Sequence, residues 1–468
     1  MTAQAEERKI FGYLPNDTPP IGQMILLGFQ HVLTMFPATV LVALLVGFDV
    51  GTVLAVSGLA TITALILSKV WIGDFIPLYY GSSFSYITAT LTLTGAEYGQ
   101  YAGAELVSLA QVGIVATGIL NILVGFFISR VGKDALDNIL PPVLTGSVAL
   151  VIGVTLGGAA LDQASTNWTV AIVTLVATVV FSVYLQGKGF IGLLPILLGA
   201  IFGYFFSAIF YPNSIDFSII AESRFLRVPR FTFPAFGNPR AFESIAAIAV
   251  IAIATIPEST AHLYQISLYV DKLAEDLGQK PYRLSQYIGK NLVIDGLGDF
   301  INGMLGGVAG TNYGENNSLM AITRNYSGPV LITAGVIAIL LGFVGTLAAV
   351  IDTIPLAVTG GLSIYLFGVI GMQGIALIQS EKVNLFDPRQ LAIGATVTIV
   401  AIGAQIIGGG NIPLAETSPL VGIFPGGLPG IATGAVAGIL LNLIFKVFPP
   451  KNLDIEAAPE KMEEIPEP

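Results

Sequence analysis

Apolar residues fall along this chain in long runs, not in the alternation of an exposed sheet or the one-sided stripe of a surface helix. Stretches such as 122–128 and 330–341 are apolar at nearly every position, which suits a helix buried all round and not a barrel strand, whose side chains alternate over about 10 residues. Most runs approach the roughly 20 residues that carry a helix across about 30 Å of hydrocarbon. Read against the polar breaks, the pattern predicts spans near 21–46, 50–68, 82–94, 104–129, 139–160, 167–186 and 189–211. A second set follows near 243–269, 289–306, 312–324, 330–351, 355–378, 389–408 and 424–446. The expected fold class is an all-α polytopic membrane protein with 14 transmembrane segments.

Composition agrees: 54% of residues are hydrophobic, 11% are charged and mean hydropathy is +0.80, outside the range of a soluble domain. The net charge of -10 reflects few bases and acidic ends (Glu6, Glu7, Glu456, Glu460, Glu463, Glu464, Glu467), so no nucleic-acid partner is expected. The absence of cysteine removes disulfides, thiolate metal sites and redox chemistry. The first apolar run is too long for a cleaved signal segment. It is expected to remain as an inserted helix after a polar tail over 1–20.

Lys and Arg gather in cytoplasmic loops of membrane proteins. With an even number of spans and both termini inside, all but four of the 20 bases lie on the cytoplasmic side, among them Lys69, Arg130, Lys133, Lys188, Lys290, Arg324, Arg389, Lys446 and Lys451. The exceptions, Arg224, Arg227, Arg230 and Arg240, share the loop 212–242, expected to be extracytoplasmic, and long loops obey the rule least. The segment from Asp271 to Lys290 reads as a charged cytoplasmic connector, with an interfacial helix as one form of it, and 447–468 as a cytoplasmic tail.

The long loop divides the chain into two sets of seven, and the halves echo each other. Pro141-Pro142-Val143-Leu144-Thr145-Gly146 opens span five, and Pro355-Leu356-Ala357-Val358-Thr359-Gly360 opens span twelve. Tyr80-Gly81-Ser82 begins span three, and Tyr313-Gly314-Glu315 begins span ten. Seven is odd, so a duplicated unit inserts in the opposite sense, the inverted repeat of many secondary transporters, with a binding site near the midplane. Spans three and ten, short and polar at their starts, point to that site, because irregular backbone at membrane depth survives only where it lines a cavity or is buried in protein.

An ionisable group at mid-bilayer costs about 2.5 to 3.5 kcal/mol on insertion scales, and each needs a partner or a purpose. Both histidines of the chain, His31 and His262, fall inside predicted spans, and His262 follows Glu258 by one helical turn. Glu315 opens span ten within the polar run Thr311-Asn312-Tyr313-Gly314-Glu315-Asn316-Asn317-Ser318, and Gly81-Ser82-Ser83-Phe84-Ser85-Tyr86 gives span three a matching polar start. Together these offer carboxylates, imidazoles, exposed amides and aromatic faces. Glu258 and His262 also admit a purely structural pairing, and their spacing admits a metal site, which the lack of further soft or imidazole ligands disfavours. Asp295 and Asp299 either face a vestibule, pair with Lys290, or serve function. Trp71 and Trp168, at span ends, read as interfacial anchors.

Gln30-His31 with Met35-Phe36-Pro37-Ala38-Thr39-Val40 resembles the Gln-His motif of the nucleobase-ascorbate transporters, and within them the bacterial uracil permeases. Tyr80 to Phe84 resembles their span-three strand, Tyr313-Gly314-Glu315-Asn316 with Met320-Ala321-Ile322-Thr323-Arg324 their span-ten signature, and Glu258 with His262 their span-eight pair. The resemblance covers 21–446. Ser318, Ala261 and Pro37 stand where glycine is usual.

The resemblance implies a core domain (21–135 and 243–352) that holds substrate, a gate domain (136–211 and 353–446), short strands at the broken spans three and ten, and a homodimer. It implies no cofactor, no metal and no enzymatic activity, in a plasma-membrane protein that imports a nucleobase, uracil first and xanthine or another purine as the alternative, by proton symport. The substrate-binding set it implies is Glu258, Glu315, Phe84, Gly314, Tyr313 and Ala38, with Gln30, His31, Ser83 and Asn316 close by. His262, Glu315 and Glu258 would handle the proton. The rival readings are an anion transporter of similar architecture and an intramembrane enzyme. For the latter the chain has no His-Glu-x-x-His and no Gly-x-Ser-x-Gly.

Overall fold

A computed structural model describes residues 12–132, 138–424 and 426–450. Lys133, Lys451 and the charged ends, including Glu6, Glu7 and the acids from Glu456 onward, lie outside the described residues.

The apolar runs become helices close to where hydropathy puts them: α1 Ile21–Val46, α2 Val50–Ile72, α3 Ile87–Thr94, α4 Ala104–Val131, α5 Pro142–Ser165, α6 Trp168–Tyr184 and α7 Pro195–Phe210. After a short α8, Ser218–Glu222, come α9 Ala241–Ile248, α10 Ala252–Asp276, α11 Ile288–Leu305, α12 Gly314–Thr323, α13 Gly328–Gly342 and α14 Gly345–Asp352. α15 Leu356–Ser380, α16 Pro388–Gly408 and α17 Gly430–Val447 complete the order. Among the described residues, eight helical stretches are long and apolar enough to cross a membrane, and α6, α7 and α13 are shorter apolar helices. Helix ends carry ordinary capping chemistry: Gly47 closes α1 in the left-handed region at φ 73°, and Asp49 opens α2 by accepting from the Thr52 amide at 2.9 Å.

Three segments differ in detail from their expected extents. Span eight is one apolar helical stretch, Ala241–Asp276, made of α9 and α10 with a 3-10 turn over Ala249–Ile251 between them, and it runs on past 269. The start of the presumed connector is therefore helical, held where Asp276 pairs with Lys272 and Arg324. Span eleven breaks between α13 and α14, with Gly342 and Gly345 on either side and Leu226 of the long loop bridging Val344 in between. Within the N-terminal tail, the segment 12–20 packs on the first unit: Tyr13 bridges Asn325, and the Ser327 hydroxyl donates to the Asp17 carbonyl at 2.6 Å.

Within the described residues the chain forms two compact units, Met1–Gly132 with Gly157–Leu366 and Lys133–Leu156 with Phe367–Pro468. In the first, small residues let helix backbones touch. A Cβ on Gly118 would stand 2.6 Å from the Gly296 carbonyl, and one on Gly58 2.4 Å from that of Gly335, the close approach by which membrane helices pack without a hydrophobic drive. In the second unit Gly153 of α5 lies against α15, where a Cβ would meet Phe367 O and Gly371 N at 2.4 Å.

The loop 212–242 is ordered as a strap across the first unit. Arg227 N donates to Phe343 O at 2.9 Å, Gly345 N to Phe225 O at 2.8 Å, and Ala235 N to Ser108 O at 2.9 Å. Its bases are engaged locally: Arg227 pairs with Asp49 at 2.5 Å, Arg230 lies 4.8 Å from the Tyr101 ring centroid, and Arg240 pairs with Glu243 at 2.8 Å. Beside Arg230, partial burial raises the Tyr101 phenol above its ordinary value while the guanidinium opposes the shift.

Candidate functional site

Two interrupted helices meet at the centre of the first unit. β1, Tyr80–Ser82, pairs antiparallel with β2, Gly310–Asn312, with Tyr80 opposite Asn312, Gly81 opposite Thr311 and Ser82 opposite Gly310. The ladder extends at both ends, Tyr313 N donating to Tyr79 O at 2.8 Å and Ser83 N to Ala309 O at 3.1 Å. Glycine is obligatory where the strands touch, since a Cβ on Gly310 would sit 2.1 Å from the Gly81 carbonyl.

A two-stranded ladder leaves outer backbone groups that hydrocarbon cannot satisfy. Side chains from neighbouring helices serve them here. Ser57 and Thr61 hydroxyls donate to Tyr80 O at 2.7 and 3.1 Å, and the Thr61 oxygen accepts from Tyr80 N at 3.1 Å. On the other edge Asp299 accepts from Gly310 N at 2.7 Å and from Asn121 at 3.1 Å. Asp295 and Asp299 are each 2% exposed. The vestibule reading fails, and so does pairing with Lys290, whose ammonium instead lies 5.3 Å from the Trp71 and Tyr287 ring centroids.

From this ladder α3 and α12 set out. Phe84 begins a 3-10 turn, Phe84–Tyr86, after the half-cap of Ser83, whose hydroxyl accepts from Ser85 N. Gly314 begins α12 and Glu315 lies in its first turn. The leading amides of a helix have no acceptor within it, and they carry the positive end of its dipole. Tyr313 is fixed just before that start: its ring stacks on Tyr79 at 6.4 Å between centroids and 4° between planes, and its hydroxyl donates to Ser82 O at 3.0 Å while sharing a bond of 2.9 Å with Thr39. Gly81 makes room for that ring, since a Cβ there would stand 2.3 Å from it.

α10 brings Glu258 and His262 to the same place. Pro257 within that helix, like Pro37 within α1 beside the buried Ala38, has no amide hydrogen for the carbonyl four residues back. Glu258 is half-buried and lies within electrostatic range of His262, Glu315 and Asp295. Glu315 is exposed within the protein's own surface. His262 Nδ1 stands 2.9 Å from Asn312 O and 2.8 Å from Asn312 Oδ1, and its Nε2 faces Gly314, 2.8 Å from where a Cβ would be.

His31 lies on another side of α12, 1% exposed, with Asn316 Nδ2 at 3.0 Å from its Nδ1 and 3.2 Å from its carbonyl. The Gln30 Oε1 is buried without a hydrogen-bond partner. Contacts of these residues thus link four elements, α1, β1–α3, α10 and β2–α12.

Residues that the sequence reading passed over hold the site together. Asn312 Nδ2 donates to Ser259 Oγ at 2.8 Å, Asn291 Nδ2 donates to the same oxygen at 3.1 Å, and Tyr80 OH donates to Asn291 at 3.2 Å. Asn317 ties α12 to α10 through His262 O at 3.1 Å. Asn312 and Asn317 sit in the polar run already singled out; Ser259 and Asn291 carry no local signal. Among the described residues, no group of three or more His, Asp or Glu could hold a metal.

Crossed half-helices joined by a short ladder, inside a bundle of apolar helices, define a polytopic membrane transporter. Solved structures share the fold. SLC26A9 superposes with a TM-score of 0.61 at 11% identity, over 91% of this chain and 66% of that one, so this chain spans slightly less than two thirds of it. The transmembrane domain of the cyanobacterial bicarbonate transporter BicA superposes at 0.51 and 15% identity, over 92% of this chain and 99% of that domain.

Sequence narrows the class. A family model described as "Permease family" (Xan_ur_permease) matches residues 22–407, and the chain belongs to that family, the nucleobase-ascorbate transporters. It is 34% identical to the uracil permease of Bacillus caldolyticus over 439 residues, covering 92% of this chain and 93% of that one. It is likewise 34% identical to the uracil permease of Escherichia coli (strain K12) over 446 residues, with the same two coverages. The uracil permease of Bacillus subtilis (strain 168) is 31% identical over 445 residues, covering 92% and 94%.

Proposed function

We propose that this protein imports uracil by proton symport through alternating access. The observation that carries the reading is the placement of His262, one turn after Glu258 on α10, against Gly314 at the start of α12, where Glu315 stands in the first turn. A pyrimidine dione offers ring N–H groups and carbonyls, and carboxylates, amides and imidazole complement both. In this reading Glu258 accepts from ring N–H, the amides of Phe84 and Gly314 donate to a carbonyl, and Glu315 holds another edge with His262 orienting it. Phe84 and Tyr313 cover the ring beside Ala38, and Gln30, His31, Ser83 and Asn316 shape the surroundings. The names of the relatives support uracil as the base.

The same reading takes the chain as 14 spans in two inverted repeats, supported by the parallel Pro-rich starts of α5 and α15. Its core (21–135, 243–352) carries substrate past a gate (136–211, 353–446), a functional division that differs from the compact units, whose boundaries fall inside α5 and α15. A plasma-membrane homodimer with cytoplasmic termini completes it. A proton on the Glu258, His262 and Glu315 cluster favours movement of the occupied core, because coupling requires proton and substrate to prefer the same state.

The shared fold makes anion transport the second reading. Two carboxylates beside the helix start argue against an anionic cargo. Competition for labelled uracil uptake by thymine, xanthine, hypoxanthine, ascorbate and sulfate, with and without an imposed pH gradient, decides among them. Uracil should compete best and sulfate not at all; displacement by sulfate alone overturns the reading.

A further inference from the structure

The two imidazoles of this chain meet opposite hydrogen-bonding partners, and in each case a main-chain carbonyl fixes the sense. A carbonyl oxygen only accepts. His262 Nδ1 faces the carbonyl of Asn312 at 2.9 Å and its side-chain oxygen at 2.8 Å, so Nδ1 carries a hydrogen. The main-chain carbonyl decides this, and the amide nitrogen, turned to Ser259 Oγ at 2.8 Å, leaves the side-chain oxygen free to accept from Nδ1 as well. At His31 the carbonyl is the ring's own, and Asn316 presents Nδ2 to it at 3.2 Å and to His31 Nδ1 at 3.0 Å. There the amide nitrogen donates, so Nδ1 is bare and the ring hydrogen sits on Nε2.

The consequence for protonation is asymmetric. His262 Nε2, against Gly314, gains or loses a proton while the bond from Nδ1 to Asn312 stays in place. A second proton on His31 would go to Nδ1 and meet the hydrogens of Asn316, in a site 1% exposed. Of the charged groups nearby, Glu258 stands one turn before His262 on α10 and itself lies within electrostatic range of His262, Glu315 of α12 and Asp295 of α11, while Glu315 follows the Gly314 that His262 Nε2 faces.

We infer that Asn312 and Asn316 lock the two histidines in opposite tautomers, and that His262 Nε2 is the imidazole nitrogen that exchanges the coupled proton. Asn312 is then a positioning residue for His262. The second half of this statement rests on the proton symport proposed above; the first does not.

Magic-angle-spinning NMR of the full chain in bilayers, isotope-labelled at the histidine ring nitrogens, reads both halves, with His31→Gln assigning the two rings. At alkaline pH the His262 ring should show a protonated Nδ1 and a bare Nε2, and the His31 ring the reverse. On acidification only the His262 Nε2 signal should move to the protonated position. Asn312→Asp, which puts a carboxylate beside Nδ1, should move the pH dependence of uptake together with the His262 ring signals and leave those of His31 in place. The same tautomer at both rings, or titration of His31 before His262, overturns the inference. Opposite tautomers with uptake indifferent to a pH gradient would leave the tautomer lock standing and overturn the proton assignment together with the symport reading.

Discussion

At the scale of single residues the site is governed by how close backbone and side chain approach. Gly314 is the sharpest case, since a methyl group there would press on His262 Nε2 at 2.8 Å. Gly314→Ala should therefore push the imidazole off Asn312 and cut uracil uptake about tenfold or more, while thermal unfolding stays near wild type because the ring is the movable partner. An unchanged uptake rate would show that Nε2 does not need its position. Gly81→Ala differs in kind. Its Cβ would enter the Tyr313 ring, which Tyr79, Thr39 and Ser82 hold in place, so the overpacking should cost about 1–3 kcal/mol, read as a lowered Tm in detergent. The acids and both histidines were legible in the sequence because an ionisable residue inside an apolar run is conspicuous. Asn312 was visible only as part of the polar run 311–318, and Ser259 and Asn291 not at all, because their value lies in bonds between residues 32 and 53 positions apart, which leave no periodicity.

At the scale of elements, helix ends and crossings set stability. Asp387 caps α16, accepting from Arg389 N at 2.9 Å and from its guanidinium at 2.8 Å, and these bonds hold its carboxyl below the usual range. A depressed carboxyl stabilises the fold fully above its unfolded pKa, near 3.9, and loses that contribution as pH falls through the lower folded value. Asp387→Ala should thus cost about 0.5–2 kcal/mol at neutral pH, a difference that narrows in unfolding measured below about pH 4. A constant difference down the whole pH range would contradict the charged cap. Gly153 marks the α5–α15 crossing. Gly153→Leu should separate those helices and lower Tm by several degrees without touching the site residues. Hydropathy located nearly every helix, including α1 to the residue. It missed the break between α13 and α14, which falls between Gly342 and Gly345 where Leu226 of the distant loop bridges Val344.

At the scale of the whole molecule, one architecture serves different cargoes, since SLC26A9 and BicA share the fold at 11% and 15% identity. In this chain the ladder of β1 and β2 launches two half-helices, with Glu315 in the first turn of α12 and His262 against its start. The most direct test follows lumenal pH with a trapped dye in proteoliposomes, starting from equal pH on both sides and adding uracil outside. Wild type should acidify the lumen on uracil addition and not on sulfate, and Glu258→Gln and Glu315→Gln should lose about ten- to hundredfold of that rate, the worth of a hydrogen bond to a charged group. Uracil accumulation without acidification, or acidification undiminished in both variants, would contradict the account.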